Sequence, residues 1–229
     1  MSSNAYTARP VQSRSLGGPA RASGPGGALG VAGLCVVSLA LIWVVAELVP
    51  AAQLRDALAL HDFTLLSRPH VDAIANFLLN LVHPVVFICW GAALVALAFA
   101  RERPRLALAV VVVMAMAPLT SELLKPLLAH PHLQVGRVHI GPASWPSGHS
   151  TAALALVLSA VLVAPARLRA LVAVAGAVFA AAVGAALLIL AWHMPSDVLG
   201  GYLVAALWTA LAVAGLRYAE RRWPTSGGP

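Results

Sequence analysis

Apolar residues run in long blocks along this chain, and short polar segments separate them. Six blocks approach the roughly 20 residues that a helix needs to cross a bilayer. The blocks cover residues 28–46, 79–100, 106–124, 151–164, 171–192 and 198–216. The fourth is short, and we expect its helix to begin earlier, near Ser147. The pattern predicts an all-α polytopic membrane protein, a bundle of six transmembrane helices.

The segments outside the blocks differ in character. Residues 1–27 are rich in Ser, Gly, Pro and Arg without periodicity, so we expect a disordered tail. Segment 51–77 is amphipathic, and we expect interfacial helices over 51–60 and 71–76. The predicted organisation is a cytoplasmic tail over 1–27, a six-helix membrane domain over 28–219 and a short cytoplasmic tail over 220–229.

Composition agrees with a membrane protein and argues against other classes. Of the 229 residues, 60% are apolar and 10% are charged, whereas soluble domains carry about 25% charged residues. The net charge of +7 comes from clusters between apolar blocks, so no nucleic-acid partner is expected. Cys35 and Cys89 each lie inside an apolar block, which favours small buried hydrophobes over a disulfide or metal pair.

The basic residues predict the orientation in the membrane. Eleven Arg residues fall on one side of the six blocks, against three Arg and the single Lys on the other. The first group is Arg9, Arg14, Arg21, Arg101, Arg103, Arg105, Arg167, Arg169, Arg217, Arg221 and Arg222; the second is Arg55, Arg68, Lys125 and Arg137. The positive-inside rule then predicts a multi-pass protein of the cell membrane with both termini in the cytoplasm.

Polar chemistry gathers at the opposite, outer ends of the predicted helices. Stretch 145–149 precedes the fourth block, so Ser147 is a candidate N-cap and Gly148 lets a bound group approach the backbone. The free N–H groups of such a helix start form an anion site. A plain helix cap in a tight turn explains the same residues equally well.

Two further features lie at outer helix ends. His193 and Asp197 are four residues apart and can meet in a helical turn, where the carboxylate would fix the imidazole tautomer. An interfacial His beside an Asp that favours the helix dipole is the simpler alternative. Lys125 ends the third block, either as a fixed cation for a phosphate or as a snorkelling Lys paired with Glu122.

Taken in chain order, Lys125, the Pro-Ser-Gly-His stretch 146–149 and the His193–Asp197 pair resemble the type 2 phosphatidic acid phosphatases, also called lipid phosphate phosphatases. The soluble vanadium haloperoxidases share their site. The resemblance covers roughly residues 75–216. It implies hydrolysis of a lipid phosphate ester or diphosphate through a phosphohistidine, and the orientation predicted from the basic residues puts this site at the extracytoplasmic face. Lipid phosphate and membrane lipids are the implied partners, with no cofactor and no metal.

The resemblance also implies residue roles. His193 would attack phosphorus as the nucleophile, and His149 would protonate the leaving alkoxide. Asp197 would orient the nucleophile. The phosphate would be held by the remaining three residues, Lys125, Ser147 and Gly148. These roles suit phosphoryl transfer, which needs donors aimed at the equatorial oxygens and an in-line nucleophile.

The chain departs from the family pattern at both motif arginines. The Arg-Pro of the first motif is replaced by His132 and Leu133, and the Ser-Arg of the third by Ala186 and Leu187. Arg137, in the loop between the first two motifs, is the candidate substitute, and His132 is the next. The rival interpretation with most support is therefore a non-catalytic lipid-phosphate-binding or assembly protein derived from this fold.

The polar residues at the predicted outer end allow two further interpretations, a zinc site and a serine protease. His130, His132 and His139 could ligate zinc, although the His-x-His spacing is weak evidence and a rim of interfacial histidines explains it. A rhomboid-like serine protease fits poorly, because Ser147 lacks a Gly-x-Ser-x-Gly setting.

Overall fold

The computed structural model describes residues 24–133, 135 and 139–223, and within them it contains eight α-helices and no strand. The helices are α1 (Pro25–Leu48), α2 (Pro50–Thr64), α3 (Pro69–Asn80), α4 (Pro84–Ala100), α5 (Pro104–Leu127), α6 (Gly148–Val163), α7 (Ala166–Ile189) and α8 (Pro195–Arg222). The predicted all-α class is confirmed.

Proline sets most of the helix boundaries. Six of the described helices, all except α6 and α7, have Pro in their first two positions. Proline suits this position because its fixed φ is already helical and its missing N–H would have had no intrahelical partner. Pro50 therefore separates α2 from α1, and Pro195 starts α8.

The block predicted over 79–100 is two helices and not one. α3 ends at Asn80, α4 begins at Pro84, and the two axes are bent by 50°. Proline at position 84 cannot donate to the preceding turn and its ring clashes with it, so the helix breaks there. The segment predicted as interfacial helices forms α2 and α3, both longer than expected.

The number of membrane spans is not confirmed as six. Among the described residues, α1, α5, α7 and α8 are long and apolar enough to cross a bilayer, and the bent pair α3–α4 would make a fifth span. α6 has 16 residues and is shorter than α1, α5 and α7, which have 24 residues each. It begins directly after Ser147, as expected.

Many large apolar side chains face outward. Val85, Ile88, Leu171 and Val174 have exposed fractions of 65%, 68%, 66% and 65%. A water-soluble monomer rarely exposes apolar surface on this scale, whereas a bilayer covers it. Cys35 is buried and Cys89 exposed, and both are free thiols, so no disulfide joins them.

The interior is organised around α8, which packs against α1, α5 and α6. Small residues let α6 and α8 approach closely. A Cβ at Gly201 would collide with Ser150 Oγ and the Ser147 carbonyl oxygen, and one at Gly200 would lie 2.8 Å from Trp145 Nε1. Close approach through small residues is typical of helix packing in membranes. It brings the start of α6 against the start of α8.

Arginines gather at the other end of the bundle. Arg101 Nη1 donates to the Val163 carbonyl at 2.6 Å, and Arg217 Nη1 donates to the Gly24 carbonyl at 3.4 Å. Arg105 Nη1 reaches the Ala219 carbonyl at 3.5 Å. These contacts join the start of α1, the α4–α5 and α6–α7 connections and the end of α8 at one end. The motif residues lie at the opposite end.

Candidate active site

His193 is positioned by the way in which α7 ends. Ala191 adopts a φ of 55°, Trp192 N–H donates to the Leu187 carbonyl at 2.9 Å, and Ala191 N–H donates to the Leu188 carbonyl at 3.1 Å. This pair of bonds is a Schellman motif, which closes a helix and reverses the chain. The turn ends at His193, immediately before α8.

The start of α8 holds this histidine. His193 Nδ1 lies 3.2 Å from Asp197 Oδ2, and the Met194 N–H donates to the same oxygen at 2.9 Å. Asp197 is fully buried in the first turn of α8. When Nδ1 carries the proton, it donates to this carboxylate and Nε2 holds the lone pair. The predicted contact between His193 and Asp197 is therefore formed.

The start of α6 is hydrogen-bonded to two other helices, α5 and α8. Ser147 is the N-cap, and its Oγ accepts from the Ser150 N–H at 3.4 Å. The Ser147 N–H donates to the Asp197 carbonyl at 2.9 Å, and Ser121 Oγ on α5 donates to the Pro146 carbonyl at 2.9 Å. The first turn of α6 is thus fixed beside the His193–Asp197 pair, with its dipole's positive end at the site.

Lys125 lies above this helix start together with an acidic neighbour. Its Nζ is 2.6 Å from Glu122 Oε1, which confirms the pair that the sequence left open. A Cβ at Gly148 would lie 2.8 Å from that Glu122 oxygen and 3.6 Å from Lys125 Nζ. The first residue of α6 therefore lies beside one cation and one carboxylate.

His149 lies within reach of the other predicted site residues. Its ring packs edge-on against Trp192, with 5.6 Å between the ring centroids and 69° between the planes. It interacts electrostatically with His193, Lys125 and His83. His83, the N-cap of α4, was not singled out from the sequence.

A cleft of about 400 Å³ opens at Lys125, Gly148 and His149. Its polar end also includes Glu122. Its remaining walls are formed by apolar side chains of α4, α5 and α6 and of the α3–α4 connection, namely Val82, Pro84, Phe87, Ile88, Met114, Pro118 and Ala152. The cleft thus offers a polar end to a charged group and an apolar wall to a hydrocarbon chain.

His132 lies among buried acids instead of in the lining of this cleft. Its Nδ1 is 3.4 Å from Glu47 Oε2, its Nε2 is 2.8 Å from Ser144 Oγ, and a carboxylate oxygen of Asp197 lies within 4.8 Å. Burial lowers the pKa of His132 below its ordinary value, outweighing the charges of Asp197 and Asp56, which raise it. A neutral imidazole can donate a hydrogen bond, but it does not replace the charge of an arginine.

Two acidic residues near Asp197 were not predicted from the sequence to lie at the site. Glu47, at the end of α1, is 2% exposed. Asp56 on α2 accepts from the N–H and the Oγ of Ser196 at 3.1 and 2.6 Å, across the start of α8. Burial raises the pKa of Asp56, and these two bonds oppose the shift. For Glu47 the available signal was an ionisable residue at the end of an apolar block, where its burial is costly. Asp56, inside the amphipathic segment 51–77, offered no such signal.

The structure describes the residues at the third-motif arginine position, but not the predicted substitute Arg137. Ala186 and Leu187, where the third motif has Ser-Arg, are buried core residues of α7 with exposed fractions of 2% and 0%. Arg137, the predicted substitute, lies outside the described residues.

Comparison with protein families decides the relationship. The family model described as PAP2 superfamily matches residues 106–221, just over half of the chain. The chain belongs to the PAP2 superfamily. The match to this superfamily includes Lys125, His149, His193 and Asp197, and the predicted resemblance is confirmed. No curated protein sequence gives a significant match.

A solved structure supports the same fold. The crystal structure of the first transmembrane PAP2 type phosphatidylglycerolphosphate phosphatase from Bacillus subtilis aligns with a TM-score of 0.70 at 20% sequence identity. The alignment covers 86% of this chain and 98% of that chain. The chain is therefore a multi-pass membrane protein with the PAP2 fold, and membership of the superfamily supports a phosphatase role.

Proposed function

We propose that this PAP2 protein is a membrane phosphatase that hydrolyses the phosphate ester or diphosphate of a lipid. The observation that carries the proposal is the convergence of three helix ends at the motif end of the bundle, which bring His193, Asp197, His149 and Lys125 together beside an apolar cleft. The similar solved structure is a phosphatidylglycerolphosphate phosphatase, which supports a phosphorylated lipid as the substrate class.

The cleft supports a lipid more than a small soluble ester. A phosphate at the start of α6 would accept from the backbone N–H groups near Gly148 and from Lys125. The lipid chain would then lie along Phe87, Ile88 and Met114, in the part of the cleft that α4 and α5 line. Such a pose keeps the charged group at the helix ends and the hydrocarbon in an apolar environment.

The chemistry follows from the two histidines. His193 Nε2 attacks phosphorus, the bond to the lipid oxygen breaks, and His149 gives its proton to the leaving alkoxide. Water then attacks the phosphohistidine, His149 takes a proton from that water, and inorganic phosphate leaves from His193. Asp197 holds the attacking imidazole in the reactive tautomer and stabilises its positive charge.

We further propose six spans with the site outside the cytoplasm. α6 is about 24 Å long at 1.5 Å per residue, and its two ends contact the motif end and the arginine end of the bundle. It therefore runs nearly the thickness of a hydrocarbon core, about 30 Å. The arginine-rich end supports a cytoplasmic location for the α1 start and the α8 end.

The competing proposal is a lipid-phosphate binder without catalysis. It is favoured by Leu187, a buried core residue where the family pattern has an arginine, and by His132, whose pKa is lowered by the burial of its side chain. A binder would keep the cleft and Lys125, but it would not need His193 as a nucleophile.

Phosphate release by the purified protein from a panel of lipid phosphates and diphosphates separates the two proposals. We expect turnover with a rate maximum between acid and alkaline pH, because one imidazole must be neutral and the other protonated. His193→Ala and His149→Ala should abolish turnover, and Asp197→Asn should reduce it less completely. Labelled phosphate should be trapped on wild-type protein and not on His193→Ala.

His61→Ala is the matched control, because this histidine lies on α2 outside the site. It should retain wild-type turnover. Near-normal turnover in either His193→Ala or His149→Ala would remove the phosphohistidine scheme. Binding of the lipid phosphates without release of phosphate by the wild type would favour the binder.

A further inference from the structure

Acidic and imidazole groups surround the buried face of Asp197. Glu47 comes from α1, Asp56 from α2 and Asp197 from α8, and the segment after α5 adds His130 and His132. Ligand atoms of Glu47, His132 and Asp197 all lie within 4.8 Å of one another. Three elements distant in sequence thus bring two carboxylates and one imidazole together, and both groups are common metal ligands.

The acids in this group lack hydrogen-bonding partners. Glu47 is 2% exposed, and neither of its carboxylate oxygens has a hydrogen bond among the described residues. Asp197 is fully buried, and its Oδ1 likewise has no partner in the part of the chain that the structure describes. Buried carboxylate oxygens are normally paired, because an unmade bond leaves the full cost of desolvation.

Protonation within the group does not satisfy these atoms. A protonated Glu47 could donate one hydrogen bond within the group, but its other carboxylate oxygen would still lack a donor. His132 Nδ1 lies 3.4 Å from Glu47 Oε2, yet their geometry does not form a hydrogen bond. Among the described residues, no Lys or Arg forms an ion pair with Glu47, Asp56 or Asp197.

We propose that Glu47, His132 and Asp197 bind a divalent metal cation, with zinc as the ion that suits them best. Two carboxylates and one imidazole are donors that zinc accepts at about 2.0–2.2 Å, and tetrahedral geometry then separates ligand atoms by about 3.3 Å. The distance of 3.4 Å between His132 Nδ1 and Glu47 Oε2 fits that separation.

The surroundings fit the same assignment. His132 Nε2 contacts Ser144 Oγ at 2.8 Å, which is the kind of outer contact that orients a metal-binding imidazole. The fourth position would be filled by water or by His130, whose Nδ1 is 3.7 Å from Glu47 Oε2. This ligand set differs from the His130, His132 and His139 set that the sequence spacing indicates, and it departs from the expectation of no metal.

The ion would have a consequence for the active site, and that consequence rests on the proposed function. Asp197 holds His193 through Oδ2. A cation on the same carboxylate would keep it ionised, and it would place positive charge near a site that lacks both arginines of the family pattern. Metal binding itself requires no turnover and is measured separately.

The test uses the full chain in detergent, purified through an affinity tag without histidine. After exposure to zinc and removal of the excess, elemental analysis should find one zinc per chain. Glu47→Gln and His132→Ala should lose it, whereas Glu220→Gln and His61→Ala should keep it. Cobalt in place of zinc should give the visible absorption of a tetrahedral N/O site in wild type and not in Glu47→Gln.

Thermal unfolding keeps the test decisive if a variant is less stable. Zinc should raise the Tm of the wild type and leave that of Glu47→Gln unchanged, since a ligand stabilises only the state that binds it. The inactive His193→Ala should still bind zinc, which separates this proposal from the proposed function. A wild type without stoichiometric zinc, or a Glu47→Gln variant that binds it equally well, would overturn the proposal.

Discussion

Lys125 is the one lysine of the chain, and its ammonium group shares the start of α6 with Glu122. A phosphate bound at Gly148 would meet both side chains, because each lies within 4 Å of the Cβ position there. The carboxylate offsets part of the attraction of Lys125 for a phosphate dianion. Glu122 is 60% exposed, so solvent screens the pair and the effect is modest.

Replacing Glu122 with Gln should therefore improve substrate binding. The substitution removes the repulsion between a half-exposed carboxylate and the phosphate. If this repulsion is about 1 kcal/mol, the KM should fall by ~5-fold. Steady-state kinetics on one lipid phosphate at low salt would measure it, with Glu220→Gln, at the far end of α8, as the control. A KM that stays the same or rises would show that Glu122 does not face the phosphate.

Arg137 is the residue that could replace the charge of the two missing motif arginines. It lies outside the described residues, twelve positions after Lys125 and ten before Ser147. A guanidinium can hold two phosphate oxygens at once, which lysine cannot do as well. We expect both Arg137→Lys and Arg137→Ala to lower turnover by ~10³-fold or more, judging from arginine fingers.

The choice of substrate makes this prediction decisive. An Arg that only attracts anionic headgroups would leave turnover on a short, water-soluble phosphate ester unchanged. A phosphate-binding Arg would be needed for short and long substrates alike. Unchanged turnover on the short ester, with His193→Ala inactive, would exclude Arg137 from the site.

At the scale of elements, the site depends on how closely α6 approaches α8. The Ser147 N–H donates to the Asp197 carbonyl at 2.9 Å, so the two motif segments share a backbone hydrogen bond. Gly201, in the second turn of α8, leaves room for Ser147, Ser150 and Thr151. The bond and the close approach together fix His149 relative to His193.

Gly201→Ala should disturb both stability and activity. The added methyl group would collide with the Ser147 carbonyl, and overpacking of this kind costs roughly 1–3 kcal/mol. We expect a lower Tm in detergent and a loss of turnover. Gly215→Ala is the matched control on the same helix, because among the described residues no atom beyond the adjoining backbone of α8 lies within 4 Å of its Cβ position.

The two glycines separate packing from helix propensity. In α8 an alanine is intrinsically better than a glycine by roughly 1 kcal/mol. Gly215→Ala should therefore unfold at the same temperature as wild type or slightly higher. Equal behaviour of the two variants would mean that the α6–α8 contact does not limit stability.

At the scale of the whole molecule, charge and chemistry occupy opposite ends. Arg101, Arg105 and Arg217 contact helix ends at one end of the bundle. His193, Asp197 and the start of α6 lie at the other. A membrane protein keeps most Lys and Arg of its short loops in the cytoplasm, so this polarity predicts its orientation.

A topology reporter tests that orientation. A reporter active only in the cytoplasm should work when fused after residue 223 and fail when inserted in the loop between α5 and α6. A second reporter active only outside the cytoplasm should give the opposite pattern. If the two patterns are reversed, the site faces the cytoplasm and the positive-inside assignment is wrong.

The sequence by itself determined the all-α membrane class, the start of α6 after Ser147 and the contact of His193 with Asp197. These features are local: block length and proline position set helix ends, and residues four apart meet in one turn. The break before Pro84 is also encoded locally, by the proline itself, although the apolar composition of the block does not show it.

Only the tertiary structure decided what surrounds Asp197. Asp56 and Ser196 are 140 positions apart and are joined by hydrogen bonds, and Glu47 meets His132 across four intervening helices. The tertiary structure also places His132 beside these acids and not in the cleft with Lys125. Such pairings depend on which helix faces pack together, and no pattern within a single apolar block specifies its distant neighbour.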